Sequence, residues 1–188
     1  MSSVVFMRAV NVGGHQVFRP SLLVAKLAHL GVVNVGAAGT FVVPGSVSQK
    51  AIRSEFTRRM SFEAEMMICR GGDVLDLLAS DPFPKTTPFR RLVSVMSSRP
   101  AKTPALPLCQ PAGTRWEAKV IGVSGLFAFS LWRRLGKKSF VEPNGVVEKG
   151  LGVRATTRSW STMVKIGALL EPVAQRPGVG RPAPGRSA

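Results

Sequence analysis

The stretch SVVFMRAVNVGG, residues 3–14, decides how the fold begins. It opens with an apolar run rich in Val and closes with Asn-Val-Gly-Gly, which is typical of a buried strand that ends in a turn. Farther along, Pro20 suits a first helical turn, and leucines at helical spacing lead to a stop at Gly31. The chain is therefore predicted to start with a strand over residues 3–10 and a helix.

Further strands and a second helix follow this opening in a familiar order. Residues 32–36 and 40–43 are short β-prone runs separated by an Ala-Ala-Gly turn. Ser48 is placed to cap a helix that extends to Met60, and residues 63–69 form a fourth strand. The order βαββαβ is that of a ferredoxin-like plait, in which helices cover one sheet face and the other face needs a cover or a ligand.

The second half repeats this pattern less regularly. A Val-Ser-Gly turn joins two of its strands, prolines make residues 101–111 a poor helix, and an apolar stripe that includes Met163 marks the last helix. The predicted strands of this half are 92–96, 116–122, 126–132 and 154–157, and its predicted helices are 142–150 and 159–170. A further short helix, 73–79, is predicted before it.

We therefore predict an α+β protein in which two ferredoxin-like plaits in tandem pack into one compact unit through their free sheet faces. The first plait takes residues 1–84 and the second takes residues 85–171. Residues 172–188 are rich in Pro, Gly and Arg and have little to bury, so we expect a disordered basic tail there.

The charge of the chain is strongly basic. Its 188 residues include 26 Lys and Arg against 10 Asp and Glu, which gives a net charge of +16. Residues 1–91 carry 11 basic and 6 acidic side chains, whereas residues 92–188 carry 15 and 4. Such an excess is typical of a surface that meets a polyanion, and it also arises when a GC-rich, bacterial-type genome favours Arg codons.

Composition excludes several classes of site. Two cysteines are too few for a disulfide scaffold or a four-Cys zinc site, two histidines are too few for a His-rich metal centre, and there is no Tyr. No apolar run reaches the roughly 18 residues of a membrane span, and no secretory signal is visible. We expect a reduced cytoplasmic protein with no membrane partner, no metal, no cofactor and no catalytic residue.

Two separated motifs resemble one known family. The opening motif is FMRAVNVGGH at residues 6–15, followed by the leucine-rich helix and by GTFVV at 39–43. The closing motif includes LGK at 135–137 and LGVRATTRSW at 151–160. Together they resemble the domain of unknown function 1697 family over most of the chain. This resemblance implies duplicated ferredoxin-like plaits and no established reaction.

A loop after the first strand and a segment near the last helix have compositions that suit an anion. Glycines let backbone N–H groups approach a ligand, and an arginine adds a bidentate charge. The alternatives are a turn that needs glycine and an ordinary helix cap, supplied by Thr157 or Ser159. The hypothetical ligand- or anion-binding residues are Arg8, Asn11, Gly13, Gly14, Thr157 and Arg158.

The basic second half supports a different partner, a polyanion and most simply nucleic acid. Trp160 would stack on a base or, alternatively, anchor the apolar stripe of its helix. Phe6 and Phe41 lie on the predicted central strands, and we expect them to be core side chains rather than RNA-stacking aromatics. The hypothetical nucleic-acid-binding residues are Arg133, Arg134, Lys137, Lys138, Trp160, Arg176, Arg181 and Arg186.

The sequence thus predicts a non-enzymatic binding module with a basic surface. The second hypothesis is a small-molecule or phosphate site between the two plaits, which leaves room for an enzymatic role. A third is assembly through an uncovered sheet face. A nucleophile pair is not supported, because nothing in the spacing of His15 and either Cys69 or Cys109 places them together.

Overall fold

The computed structural model of this chain describes residues 1–8, 18–136 and 140–174. This described part is an α+β structure with two antiparallel sheets and five α-helices. The strands are β1 (Ser3–Arg8), β2 (Val33–Asn34), β3 (Thr40–Val43), β4 (Glu65–Arg70), β5 (Arg90–Met96), β6 (Leu108–Gln110), β7 (Ala118–Ser124), β8 (Phe127–Trp132) and β9 (Ala155–Ser159). The helices are α1 (Pro20–Lys26), α2 (Gln49–Arg59), α3 (Gly71–Ser80), α4 (Pro143–Leu151) and α5 (Trp160–Ala174). No helix in these ranges is long and apolar enough to cross a membrane.

The first sheet follows the predicted order of elements. Its strands lie in the order β2-β3-β1-β4, and each neighbouring pair is antiparallel. Side chains alternate between its faces, so Val5 and Met7 pack on the side of α1 and α2, whereas Val4 and Phe6 point to the opposite side. Ser48 caps α2, as predicted, because its side chain accepts a hydrogen bond from a backbone N–H of the first turn at 3.2 Å.

The second sheet repeats this order with one replacement. It runs β6-β7-β8-β5-β9, and its last four strands correspond in order to the four strands of the first sheet. Where the first half has α1, the described segment between β5 and β7 has prolines and the short edge strand β6. Proline lacks the N–H that a helix interior needs, which explains why no helix forms in residues 101–111.

One hydrophobic cluster, which we call the shared core, joins the two sheets. It combines the inner face of the first sheet, one face of β5 and β8, and the facing sides of α3 and α5. Its fully buried members include Phe6, Val93 and Met163. The prediction that Phe6 and Phe41 are core side chains is confirmed, since neither exposes any surface, although Phe41 lies on the outer face of the first sheet.

Each sheet has a cover on both faces in the described part of the chain. Helices α1 and α2 cover the outer face of the first sheet, and α4 packs its Val146, Val147 and Leu151 on the outer face of the second. The hypothesis of assembly through an uncovered sheet face assumed that one face is free, and this assumption is wrong for the described part of the chain. The grouping into two plaits and the boundary at residue 84, between α3 and β5, stay predictions.

Candidate functional site

The end of β1 meets β9 at the junction of the two sheets. The Met7 carbonyl oxygen there accepts a hydrogen bond from the Thr156 hydroxyl at 3.3 Å and another from the Arg158 guanidinium at 2.8 Å. Arg8, the next residue of β1, also reaches β9. Of the predicted ligand residues, Arg8 and Arg158 lie at this junction, whereas the Thr157 side chain faces α4 on the other side of β9. Asn11, Gly13 and Gly14 lie outside the described residues.

Arg158 is buried among neutral oxygen atoms at this junction. Its side chain donates to the Thr40 hydroxyl at 2.7 Å, to the Thr156 hydroxyl at 2.9 Å and to the Ala38 carbonyl at 2.6 Å. Within the described ranges, no carboxylate forms a hydrogen bond or an ion pair with Arg158. Burial lowers the pKa of the Arg158 guanidinium from its ordinary value to about 10, which leaves it charged at neutral pH.

These contacts give Arg158 a structural task. A buried cation is costly unless its donors are satisfied, and the guanidinium has five N–H groups to satisfy. Oxygen atoms from β1, from β9 itself and from the approach to β3 accept them. An anion that bound here would have to replace several of these acceptors. The anion-binding role of Arg158 stays a prediction.

Arg8 is half-buried between two carboxylates. Its guanidinium lies 3.0 Å from Glu148 and 3.6 Å from Glu65, and its Nε donates to the Ala155 carbonyl at 3.1 Å. Glu65 also pairs with Arg154 at 3.2 Å. Because two negative charges already face Arg8, its attraction for an incoming anion is weak at this site.

The hydroxyl of Thr157 belongs to a polar chain on the α4 side of the second sheet. It donates to Asn144 Oδ1 at 2.6 Å and lies 2.6 Å from the hydroxyl of the buried Ser94. The cap of α5 is supplied by Ser159, whose Oγ accepts a hydrogen bond from the Thr162 N–H at 3.3 Å. Of the two caps that the sequence left open, the structure selects Ser159.

A second candidate region, the basic end, is the end of the second sheet where β5 starts and β8 stops. The antiparallel register places Arg90 opposite Trp132 and Arg91 opposite Leu131. The arginine pair that opens β5 therefore lies beside the pair Arg133-Arg134 that follows β8. We define the basic end by Arg90, Arg91, Arg133, Arg134 and Lys165.

An open groove of about 840 Å³ crosses this end of the sheet. In the described structure, three cations and two hydroxyl groups line it, and no carboxylate does. The groove takes side chains from the start of β5, the end of β9 and the first turns of α5. Its lining residues are Arg90, Arg91, Leu92, Ser159, Trp160, Ser161, Val164 and Lys165.

Aromatic rings hold several of the basic side chains in place. The Arg133 guanidinium lies 4.2 Å from the centre of the Trp116 ring, and its Nε donates to the Trp116 carbonyl at 2.7 Å. Arg91 lies 5.5 Å from the Trp160 ring and 3.6 Å from Asp81. Stacking of this kind orders a guanidinium. The N–H groups of Arg133 also donate to backbone carbonyls, which fixes this side chain further.

Trp160 is 9% exposed and lies mostly in the shared core. Its ring packs edge-to-face on Phe83 at 5.2 Å, so only a margin of the indole reaches the groove. Most of the Trp160 side chain is therefore buried, as expected for a residue that anchors its helix in the core. Base stacking by Trp160 stays a prediction.

Sequence reasoning missed three cations of the basic end, Arg90, Arg91 and Lys165. The adjacent arginines at the start of β5 were a usable signal, because they directly precede the apolar run of a predicted strand. Their proximity to Arg133 was not readable, since it follows from the pairing of β5 with β8. Lys137, Lys138, Arg176, Arg181 and Arg186 lie outside the described residues.

The cysteines do not form a reactive pair in the described structure. Cys69 is buried in the shared core, whereas Cys109 lies on the edge strand β6 and is partly exposed. Burial, with a contribution from the Asp73 charge, raises the pKa of the Cys69 thiol to about 12. His15 lies outside the described residues, and within them no three His, Cys, Asp or Glu side chains gather as a metal site would require.

Comparison with known proteins finds one family. The family described as "Protein of unknown function (DUF1697)" matches residues 1–123. No curated protein and no solved structure matches the chain. The matched residues include the whole first sheet, the strands β5 and β6, all but the last residue of β7 and most of the shared core.

Proposed function

Because the chain belongs to the DUF1697 family of proteins of unknown function, we propose its function from its own surface: it is a non-enzymatic binding module that holds nucleic acid at the basic end. The observation that carries this proposal is the groove lined by Arg90, Arg91 and Lys165 without any carboxylate among its described lining residues. A groove of one charge sign concentrates ligands of the opposite sign.

The chemistry of the groove suits phosphodiester groups. A guanidinium can hold two phosphate oxygens at once, and a lysine adds a mobile positive charge. The hydroxyl groups of Ser159 and Ser161, at the start of α5, can donate to further phosphate oxygens. Contacts of this kind fix a strand in place without reading its bases, so the proposed binding is independent of sequence.

The rest of the chain supports the same partner. The net charge of +16 favours encounter with any polyanion, and the second half carries most of the excess. The arginine pair Arg133-Arg134 extends the positive surface beyond the groove along the same end of the sheet. The predicted contribution of Lys137, Lys138 and the arginines of residues 175–188 would lengthen that surface.

The junction supports a phosphate site less well than the basic end supports nucleic acid. Arg8 faces two carboxylates, and the donors of Arg158 are directed at protein oxygens. We also infer that both halves are ferredoxin-like plaits, the second with its first helix replaced by the β6 segment, because the two sheets share one strand order.

A binding experiment tests the proposed function. The variant Arg90→Gln/Arg134→Gln/Lys165→Gln removes three charges and leaves the ion pair of Arg91 and the ring contact of Arg133 intact. We expect it to bind a fluorescently labelled oligothymidylate at low salt about tenfold or more weakly than the unaltered chain, as measured by fluorescence anisotropy.

The matched control removes the same charge elsewhere. Lys50, Lys102 and Lys149 are exposed, and no hydrogen bond or ion pair is found for them in the described structure. Their triple replacement by Gln should change the affinity by less than about threefold, because only the overall attraction falls. No binding by the unaltered chain, or equal losses in both triple variants, would overturn the proposal.

A further inference from the structure

A second depression is a cleft between the two halves of the molecule, which we call the seam cleft. It has a volume of about 600 Å³ and lies between α3, the end of β4 and the turn that joins β7 to β8. The basic end lies at the start of β5, whereas the seam cleft is beside the residues that follow β5. The two sites therefore occupy opposite ends of the second sheet.

The floor of the seam cleft is apolar. It consists of Leu77 from α3 and of Phe127 and Phe129 from β8, all members of the shared core, together with Cys69. The high pKa of the Cys69 thiol, about 12, keeps it protonated and without nucleophilic character at neutral pH. Cys69 is therefore a part of the floor and not a nucleophile toward a molecule held there.

The rim of the seam cleft carries two arginines, of which one has an ion-pair partner among the described residues and the other has none. Arg70 is held by Asp73, with N–O distances of 2.8 and 3.3 Å. Arg99 also lines the cleft, is exposed, and has no hydrogen-bond or ion-pair partner among the described residues. Asp76, on the next turn of α3, raises the pKa of Arg70 only as a lesser contributor after Asp73.

The mouth of the seam cleft is open at the β7–β8 turn. Gly125 occupies this turn with a positive φ of 57°, and a side chain there would meet nothing within 4 Å. Its neighbour Ser124 lines the cleft and is exposed. A large side chain at Ser124 can therefore close the mouth without entering the core.

We infer that the seam cleft binds a small amphipathic anion, with its carboxylate, sulfonate or phosphate head on Arg99 and its apolar body over Leu77 and Phe127. The cleft volume lies in the range of small-molecule sites, which combine an apolar lining with a few polar groups. Arg99 supplies the cation without giving up an existing ion pair, whereas Arg70 would have to leave Asp73.

Anilinonaphthalene sulfonate is a suitable probe, because it joins an aromatic body to one negative group and brightens in an apolar site. We expect saturable binding to the folded chain with a single affinity. Arg99→Glu should weaken that affinity about tenfold or more, and Ser124→Trp should also weaken it by closing the mouth. Lys149→Glu makes the same charge change on α4 and should leave the affinity within about twofold.

Competition then identifies the chemistry of the head group. Phenylbutyrate should displace the dye, whereas phenylbutylamine, with the same body and the opposite charge, should not. The triple basic-end variant should bind the dye as the unaltered chain does, which separates this site from the nucleic-acid surface. Unchanged dye affinity in both Arg99→Glu and Ser124→Trp, each shown to be folded by its proton–nitrogen spectrum, would overturn the inference. Equal displacement by the amine would overturn it as well.

Discussion

The junction and the basic end use arginine in opposite ways. At the junction, Arg158 is 7% exposed and directs its donors to oxygens of its own chain. At the basic end, Arg90 is exposed, lies 5.5 Å from the Trp132 ring and lines an open groove. An arginine in a motif near a helix start is therefore not by itself evidence of a ligand site. Its burial, and the oxygen atoms that already accept its hydrogen bonds, decide whether it is available to a ligand.

The contrast has an energetic basis. A buried guanidinium is stable only while its acceptors remain in place, so it stabilises one arrangement of the two sheets. An exposed guanidinium keeps much of its hydration and contributes little to folding, which leaves it available to a phosphate. Loss of Arg158 should therefore lower the free energy of unfolding, whereas loss of the basic-end charges should weaken nucleic-acid binding and leave the free energy of unfolding almost unchanged.

The largest expected effect is on Arg158. Arg158→Met should lower the free energy of unfolding by about 3–5 kcal/mol, because it removes a buried charged donor and leaves its oxygen partners unpaired. Urea denaturation measures this change. Arg154→Met is the control, since Arg154 is exposed and its side chain pairs with Glu65 alone among the described residues, at 3.2 Å. It should cost about 1 kcal/mol or less. Similar losses in the two variants would break the comparison.

A smaller effect is expected at Arg8. Arg8→Met should cost about 1–2 kcal/mol in the same assay, because the side chain is half-buried and its bonds to Glu148 and Ala155 link the two halves. A double-mutant cycle with Glu148→Gln should show coupling of about 1 kcal/mol. Additive costs would mean that the 3.0 Å pair does not contribute to the junction.

The two cysteines offer the same comparison between a buried and a partly exposed side chain. A maleimide reagent should label Cys109 in the native chain and label Cys69 only after denaturation, because Cys69 is buried and Cys109 is partly exposed. Mass spectrometry counts the labels. Rapid native labelling of Cys69 would show that the shared core opens readily on the side of the seam cleft.

The same burial gives a pH dependence with a defined sign. The pKa of Cys69 is about 12 in the folded chain, raised mainly by burial, and has its ordinary value in the unfolded chain. Above the ordinary value the unfolded chain binds fewer protons, so stability falls as pH rises, by up to about 1.4 kcal/mol per pH unit. In urea denaturation at a series of pH values, the free energy of unfolding of Cys69→Ala should fall less steeply with pH than that of the unaltered chain. An identical fall in both chains would contradict the raised pKa of Cys69.

Much of the fold was readable from the sequence, because its signals are local. The apolar run in residues 3–8 predicts the strand β1, and Ser48 predicts the start of α2. The prolines of residues 101–111 predict the lack of a helix there, but not the short strand β6. The last helix continues to Ala174, past the predicted end at residue 170, since local signals fix helix ends poorly.

The sites were less readable, because they depend on contacts between distant residues. Arg8 and Arg158 both contact the junction of β1 and β9, and the carboxylates and carbonyls around them come from α4, β4 and the turn before β3. Nothing in either motif indicates these acceptors. The basic groove needs the register of β5 with both β8 and β9. The seam cleft needs the packing of the two halves, which no single motif encodes.

The salt dependence of binding tests the central claim most directly. For a single strand, the logarithm of the affinity falls with the logarithm of salt concentration by about 0.7 for each phosphate that the protein neutralises. The triple basic-end variant should therefore show a slope shallower by about 2 than the unaltered chain, while the triple lysine control keeps the original slope. Equal slopes in all three chains would contradict the assignment of the basic end as the nucleic-acid surface.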